Sequence, residues 1–478
     1  MSTQFLTATA LSVSLASCNS YKSASAEKPN IIIILADDLG YNDISCYGSK
    51  EIHTPNLDIL AAEGMLFSDF HSNCSVCSPT RAALLTGRYQ HRTGIVNVMG
   101  QISAALPMIQ GLPKGSITVA NVLNESGYQT AMFGKWHLGN FSEFHPLDFG
   151  FDYFFGVEGG MGNPFTYLPA NPGPATKSML FRNRERVNGP GPYFTFRLVD
   201  EVINYVENRN QEKPFFIYLP FTAPHLPLWK PGDSLTIWDG NKLGPHPDDL
   251  ESAYRETIEA LDSAVGNIIK MLRKTGLDKN TLVFFTSDNG PVDVGSCKPY
   301  RGRKTNLYEG GTRVPAIAWW PGKIQPGIVC DELAATMDIF PTLTSIAGIP
   351  ADPSLKLDGI DITNLFLKDG KLPERMIFWE KPVGVEMSSF QIRREAVRYG
   401  KWKLVRDRSG KELELYDLEN DTAENTDLSS EYPDKVKELS QAFMKWKAEV
   451  YADSPVSLDE MINTLEENGT IKKRQPVK

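Results

Sequence analysis

The chain repeatedly breaks off a dense apolar run of strand length into acidic, amide or imidazole side chains, and this pattern restricts its fold more than any other feature. Asn30-Ile31-Ile32-Ile33-Ile34-Leu35-Ala36 leads into Asp37-Asp38-Leu39-Gly40, Pro214-Phe215-Phe216-Ile217-Tyr218-Leu219 runs towards Ala223-Pro224-His225, and Thr281-Leu282-Val283-Phe284-Phe285-Thr286 ends in Ser287-Asp288-Asn289-Gly290. A strand with no polar alternation has both faces covered, as in parallel sheets flanked by helices. Between the last two runs Tyr254, Ile258, Leu261, Val265, Ile268 and Leu272 recur at helical spacing, with Gly276 as a stop signal. Strands alternating with helices predict an α/β layered domain around a mostly parallel sheet. Ligands of such sheets bind beyond the carboxyl ends of the strands. Asp37, Asp38, His225, Asp288 and Asn289 are therefore expected along one edge.

Phe141 to Phe196 is dense in Gly, Pro, Asn and aromatics and reads as long loops over that edge. After about Lys368 the texture changes. Met376-Ile377-Phe378-Trp379, Ala396-Val397-Arg398-Tyr399 and Trp402-Lys403-Leu404-Val405 suggest short antiparallel strands, and Glu431 to Val450 a helix. The reading is a catalytic domain over 29–367 and a smaller α+β C-terminal domain over 368–478, with Lys472-Lys473-Arg474 in a solvated tail.

With 49 Lys+Arg against 58 Asp+Glu and a formal charge of −9, the chain lacks the broad basic stripe that a phosphate backbone rewards, which excludes a nucleic-acid partner. An anionic substrate must be met by a local basic pocket. Cys18, Cys46, Cys74, Cys77, Cys297 and Cys330 are too few for a disulfide scaffold, leaving one or two bridges open. No stretch reaches the roughly 18–20 apolar residues that span a bilayer. Residues 1–18 read as a signal peptide: Phe5 to Ala16 is mostly apolar or small, and Leu15-Ala16-Ser17-Cys18 resembles a bacterial lipoprotein signal, although without the usual basic start. The expectation is an exported protein of the periplasm or cell envelope, tethered by 19–28 and attached to the membrane through a lipid on Cys18. The plain alternative is a disordered leader.

The decisive segment is Ser75-Val76-Cys77-Ser78-Pro79-Thr80-Arg81-Ala82-Ala83-Leu84-Leu85-Thr86-Gly87-Arg88. It resembles the signature of the type I sulfatases, Cys-x-Pro-(Ser/Thr/Ala)-Arg followed by a hydrophobic helix start and Thr-Gly-Arg. A lone cysteine would by default be a small buried hydrophobe, but the match extends over many fixed positions. The resemblance implies an alkaline-phosphatase-like catalytic domain in which a maturation enzyme oxidises Cys77 to Cα-formylglycine. It assigns Asp37, Asp38, Asp288 and Asn289, with residue 77, to one divalent cation, normally calcium, for which oxygen donors are suited. Alone, an Asp-Asp or Asp-Asn-Gly would be cap or turn chemistry. Gly134-Lys135-Trp136-His137-Leu138-Gly139 resembles the second family signature, except that Phe133 replaces a smaller residue, and it places Lys135 and His137 in the sulfate pocket. Ala223-Pro224-His225 and Arg301-Gly302-Arg303-Lys304 carry over His225 on the leaving-group side and Lys304 in the pocket. Segments such as Met337-Asp338-Ile339-Phe340-Pro341 and Tyr399-Gly400-Lys401-Trp402 match as structural parts.

The implied reaction is sulfate ester hydrolysis. One hydroxyl of the hydrated formylglycine, oriented through Arg81, attacks sulfur while His225 and Lys304 donate to the departing sugar oxygen; His137 then deprotonates the remaining hydroxyl, and the sulfo-enzyme intermediate releases sulfate. The expected substrate is a sulfated poly- or oligosaccharide, algal (ulvan or carrageenan) before glycosaminoglycan or aryl sulfate, with Tyr153, Phe154, Phe155, Phe165, Tyr167 and Trp229 available to stack on sugar faces. The rivals are a superfamily phosphodiesterase, which would need more histidine ligands than seven residues supply, and an inactive glycan-binding relative.

Overall fold

The computed structural model describes residues 28–140, 142–160, 162–169, 176–233, 243–367, 370–381, 393–407 and 410–469. The signal peptide, Cys18, almost all of the tether and the Lys472–Arg474 tail lie outside the described residues. In chain order the strands are β1 Asn30–Ala36, β2 Met65–Phe67, β3 Phe70–His71, β4 Gln129–Lys135, β5 Tyr153–Val157, β6 Leu180–Arg182, β7 Glu185–Arg186, β8 Phe215–Pro220, β9 Thr281–Ser287, β10 Ala316–Trp319, β11 Ile328–Cys330 and β12 Ala334–Ala335, followed by β13 Met376–Glu380, β14 Arg393–Tyr399, β15 Trp402–Asp407 and β16 Leu413–Asp417. Ten of them form one sheet in the order β11-β2-β10-β9-β1-β8-β4-β5-β6-β7. Its centre is parallel, with β1 registered between β8 and β9 and β4 between β8 and β5. Antiparallel β10 and β6 flank that centre.

The isoleucine run of β1 is explained by this position. Ile31, Ile33 and Leu35 pack into one core layer with Val119, Leu123, Phe340 and Leu343. Ile32, Ile34 and Ala36 pack into the other with Leu198, Val202, Ile258 and Leu261. Alternate side chains point to opposite faces of a strand, so a strand covered by helices on both sides is apolar at every position. The 26-residue helix Leu250–Thr275 carries the heptad-like stripe read above and ends at Gly276, whose φ of 71° suits the left-handed cap.

The segment 141–196 differs from its reading as loops. Tyr153-Phe154-Phe155-Gly156-Val157 is an interior strand of the large sheet, and Phe149, Phe151, Phe154 and Phe155 are buried. Bulky apolar side chains so close together gain more from burial than from covering a site. Beyond the large sheet, β13–β16 form a four-stranded antiparallel sheet against which the helix Pro433–Ala452 packs through Leu439, Phe443 and Trp446. A second helix, Leu458–Glu467, follows it. No helix among the described residues is long and apolar enough to cross a membrane. Cys46, Cys74, Cys77, Cys297 and Cys330 are all unbridged.

Candidate active site

The carboxyl ends of β1, β4, β8 and β9 converge on one buried centre. Asp37 and Asp38 leave β1, with Asp37 N–H donating to Ala223 O (3.0 Å) and Asp288 N–H to Ala36 O (3.1 Å). Asp38 adopts φ 68° and His137 φ 59°, left-handed conformations that cost non-glycine residues on the order of 1 kcal/mol or more and persist where the surroundings enforce them. Gly134 has a stricter reason for its identity: a Cβ there would stand 1.9 Å from Pro220 O at a φ of +128°. Glycine thus lets β4 pass close to β8 and sets the course of Lys135.

Each carboxylate meets a cation. Lys135 Nζ donates to Asp37 Oδ2 (2.6 Å) and Lys304 Nζ to Asp38 Oδ2 (2.6 Å). Arg81 donates through Nε (3.0 Å) and Nη2 (2.6 Å) to Asp288 Oδ2 and through Nη1 to Lys135 O (2.9 Å). Asn289 Nδ2 donates to Asp38 Oδ1 (2.7 Å). Cys77 opens the helix Cys77–Thr86, is buried, and lies 3.9 Å from Lys304 Nζ. His225 Nε2 is 3.5 Å from Asp38 Oδ2. The loops are tied by Thr305 N–H to Ser75 O (2.8 Å) and His137 N–H to Glu158 O (2.9 Å).

Burial alone would raise the Asp37 carboxyl, yet Lys135, His225, Arg81 and Lys304 hold it well below the usual carboxylate range. Asp288 moves the opposite way, pushed up by burial and by the negative charge of Asp37. Burial and the charge of Lys135 lower His137 far below its ordinary value, so its imidazole is neutral at neutral pH and able to take a proton. Burial pushes the Cys77 thiol up to about 11. An unmodified thiol this high is a poor nucleophile at neutral pH.

Potential ligand atoms of Asp37, Asp38, Cys77 and His225 all lie within 4.8 Å of one another. Among the described residues, the buried oxygens Asp37 Oδ1 and Asn289 Oδ1 accept no hydrogen bond. Buried acceptors are nearly always met, and oxygen donors suit a hard divalent cation, so the residues present fit such an ion. A second cluster within the same distance limit, Asp69, His71 and Glu309, does not. Arg398 grips Asp69 (2.6 and 2.7 Å), while Arg313 (3.0 Å) and Lys403 (2.8 Å) meet Glu309. Those carboxylates are already satisfied in an internal charge network.

The centre opens into a cavity of about 230 Å³ lined by Cys77, Lys135, His137, His225 and Lys304, together with Asn97, Gln101, Thr305 and Lys381. The structure therefore brings together all ten residues singled out around this site. Asp288 stands beside the four-residue group with its oxygens engaged by Arg81 and by Asp38 N–H. The aromatic residues offered for sugar stacking are not at the surface: Phe154, Phe155, Phe165, Tyr167 and Trp229 are buried and Tyr153 packs on Phe133 and Tyr205. They fill the layers beneath the loops. Asn97, Gln101 and Lys381 escaped the sequence reading because no local pattern marks them, whereas Thr305 adjoined a residue already chosen.

The sulfatase family model matches residues 29–349. The chain belongs to the sulfatase family. A second model, N-sulphoglucosamine sulphohydrolase, C-terminal, matches residues 302–449. This sulfatase is 38% identical to human arylsulfatase A over 402 residues, covering 80% of this chain and 75% of that protein. It is 35% identical to N-acetylgalactosamine-6-sulfatase of Rattus norvegicus over 376 residues, covering 74% and 68%. Among solved structures, Ps i-CgsB in complex with k-i-k-neocarrahexaose superimposes with a TM-score of 0.79 at 29% identity, covering 94% of this chain and 98% of that one. PsFucS1 sulfatase from Pseudoalteromonas sp. does so with 0.71 at 25% identity, covering 90% and 91%. The protein is a sulfuric ester hydrolase.

Proposed function

We propose that this sulfatase removes sulfate from oligosaccharides of an algal polysaccharide of the carrageenan type. The observation that carries the substrate class is the likeness, across 94% of the chain, to a protein solved with k-i-k-neocarrahexaose. The cavity of about 230 Å³ is below the ~300–1,000 Å³ of sites for drug-sized ligands, which suits a sulfate with about one sugar ring. A glycosaminoglycan substrate is the second reading, favoured by 35% identity to N-acetylgalactosamine-6-sulfatase.

In this reading residue 77, matured from Cys77 to formylglycine by a sulfatase-maturing enzyme, supplies the attacking hydroxyl and carries sulfate as the sulfo-enzyme intermediate. Asp37, Asp38, Asp288 and Asn289 would hold a calcium ion, which would supply Lewis-acid positive charge at the site. Arg81 spans Asp288 and the Lys135 backbone and fixes the geometry around residue 77. Lys135 and Lys304, each pre-paired to a carboxylate, stabilise charge spreading over the sulfate oxygens. His225, at the cavity wall, and Lys304 donate to the leaving oxygen. Neutral His137 takes the proton whose loss releases sulfate. The leader supports export to the periplasm or cell envelope, with Cys18 as the lipid attachment point, and the two sheets support a division near residue 367.

The test is sulfate release, followed by ion chromatography, from matured enzyme given carrageenan, ulvan and glycosaminoglycan oligosaccharides at equal concentration. Carrageenan oligosaccharides are expected to react at least tenfold faster. Preferential release from a glycosaminoglycan would establish the second reading instead.

A further inference from the structure

The helix Cys77–Thr86, which residue 77 begins, is followed by a reversal of the chain. Gly87 closes the helix in the left-handed region (φ 64°), the turn Gln90–Thr93 ends at Gly94 (φ 73°), and the backbone then comes back to the first turn of the same helix. There Met99 N–H donates to Ser78 Oγ (3.0 Å). Val98 O accepts from Gln101 N–H (3.1 Å) and Ile102 N–H (2.9 Å), and Ile95, Val96 and Met99 pack into the core. The returning segment is thus bonded to the residue next to Cys77 and anchored by its apolar side chains, the kind of rigid support that keeps a contact group in one place.

Asn97 belongs to this segment. It is 4% exposed and lines the cavity with Cys77, Lys135, His137 and Lys304, so the part of it that is open faces the site. Its carboxamide has a defined orientation. Val98 N–H donates to Oδ1 (2.8 Å), a bond that the NH2 end of a flipped amide could not accept. The free end is therefore Nδ2, which meets no acceptor among the described residues.

The ammonium groups of Lys135 and Lys304 suit the charged sulfate, because charge-assisted bonds are the stronger ones. A neutral N–H donor beside them suits a neutral oxygen. We infer that Asn97 is a specificity-determining residue that donates from Nδ2 to a hydroxyl oxygen of the sugar bearing the sulfate to be removed. The inference rests on the carbohydrate sulfatase reading above and deepens it: the enzyme reads the sugar ring as well as the sulfate on it. A donor covered by a ligand that offers no acceptor keeps its desolvation penalty, so the amide also acts against sulfate esters that lack this hydroxyl.

The test uses the matured full chain with two singly sulfated probes, a neocarrabiose monosulfate and p-nitrophenyl sulfate, and reads the ratio of their kcat/KM values. Asn97→Ala should lower that ratio about tenfold, on the order of one hydrogen bond. Asn97→Asp keeps the oxygen that Val98 N–H requires and removes the N–H donor. The ratio should fall there as well, whereas a side chain that only holds the 97–99 segment would be rescued; the added charge repels both singly charged probes and cancels in the ratio. Monodeoxy analogues at each free hydroxyl of the sulfated ring test the parent without any substitution. One of them should react about tenfold more slowly than the intact sugar, and Asn97→Ala should not distinguish the two. An unchanged ratio in Asn97→Ala, rescue by Asn97→Asp, or a parent indifferent to every deoxy analogue overturns the assignment and leaves the carbohydrate reading standing. A parent that cleaves p-nitrophenyl sulfate but no sulfated oligosaccharide overturns that reading, and this inference with it.

Discussion

Lys403 is fully buried on β15 and holds two carboxylates at once, Glu309 at 2.8 Å and Glu424 at 3.1 Å. Replacing it by Met keeps the approximate volume and removes the charge. Glu309 retains Arg313 and Arg398, but among the described residues the Glu424 carboxylate keeps only the Glu309 N–H (2.7 Å) as a donor. Removing one partner of a buried ion pair typically costs about 3–5 kcal/mol. With an unfolding entropy of about 2.1 cal/mol/K per residue, a 478-residue chain unfolding as one unit loses roughly 1 °C per kcal/mol, so the melting temperature should fall by about 3–5 °C. The loss depends on pH with a definite sign. Burial already raises the Glu424 carboxyl, with Lys403 pulling it back; without Lys403 it rises further. The folded state then retains a proton that the unfolded chain releases above about pH 4.3, so stability relative to wild type falls as pH rises. Differential scanning calorimetry at pH 5 and pH 8 should show a small deficit at the lower pH and the full one at the higher. A deficit below about 1 kcal/mol at pH 8, outside the expected range for a buried pair, or one equal at both pH values, would refute the reasoning.

Two further outcomes follow from the site. Gly134→Ala places a Cβ against Pro220 O and so displaces Lys135; misplacement of a catalytic group by about 1 Å can cost on the order of 10²-fold, and kcat/KM should drop by at least that much, which steady-state kinetics will read. Exhaustive chelation should abolish sulfate release and lower the melting temperature, because an ion held by the folded state alone stabilises it; calcium should restore both, and full activity in a chelated enzyme would contradict the metal assignment.

How much of this could be read beforehand depended on whether a signal was local. β1, β8 and β9 were legible because unbroken apolar runs buried on both faces differ from any exposed segment, and the polar residues after them marked the functional edge. β5 was not, since Tyr153-Phe154-Phe155-Gly156-Val157 has the aromatic and glycine content of a packed loop, and only its pairing with β4 distinguishes the two. The helix Leu458–Glu467 carried a usable signal that went unread: the Ser457 side chain accepts from Glu460 N–H (3.2 Å), the Ser-x-x-Glu start of a capped helix. The Asp69–Glu309–Arg398 network had none, because Asp69 and Arg398 stand 329 residues apart and meet only when the small sheet docks on the large one.

The central claim is that residue 77 acts as formylglycine. Tryptic digestion of active enzyme, produced with a sulfatase-maturing partner, should yield the peptide Glu51–Arg81, which has no internal Lys or Arg. Mass spectrometry of that peptide should show the thiol of residue 77 replaced by an aldehyde, in a fraction that tracks sulfate release across preparations. Full activity in protein whose Cys77 is entirely unmodified would contradict the account.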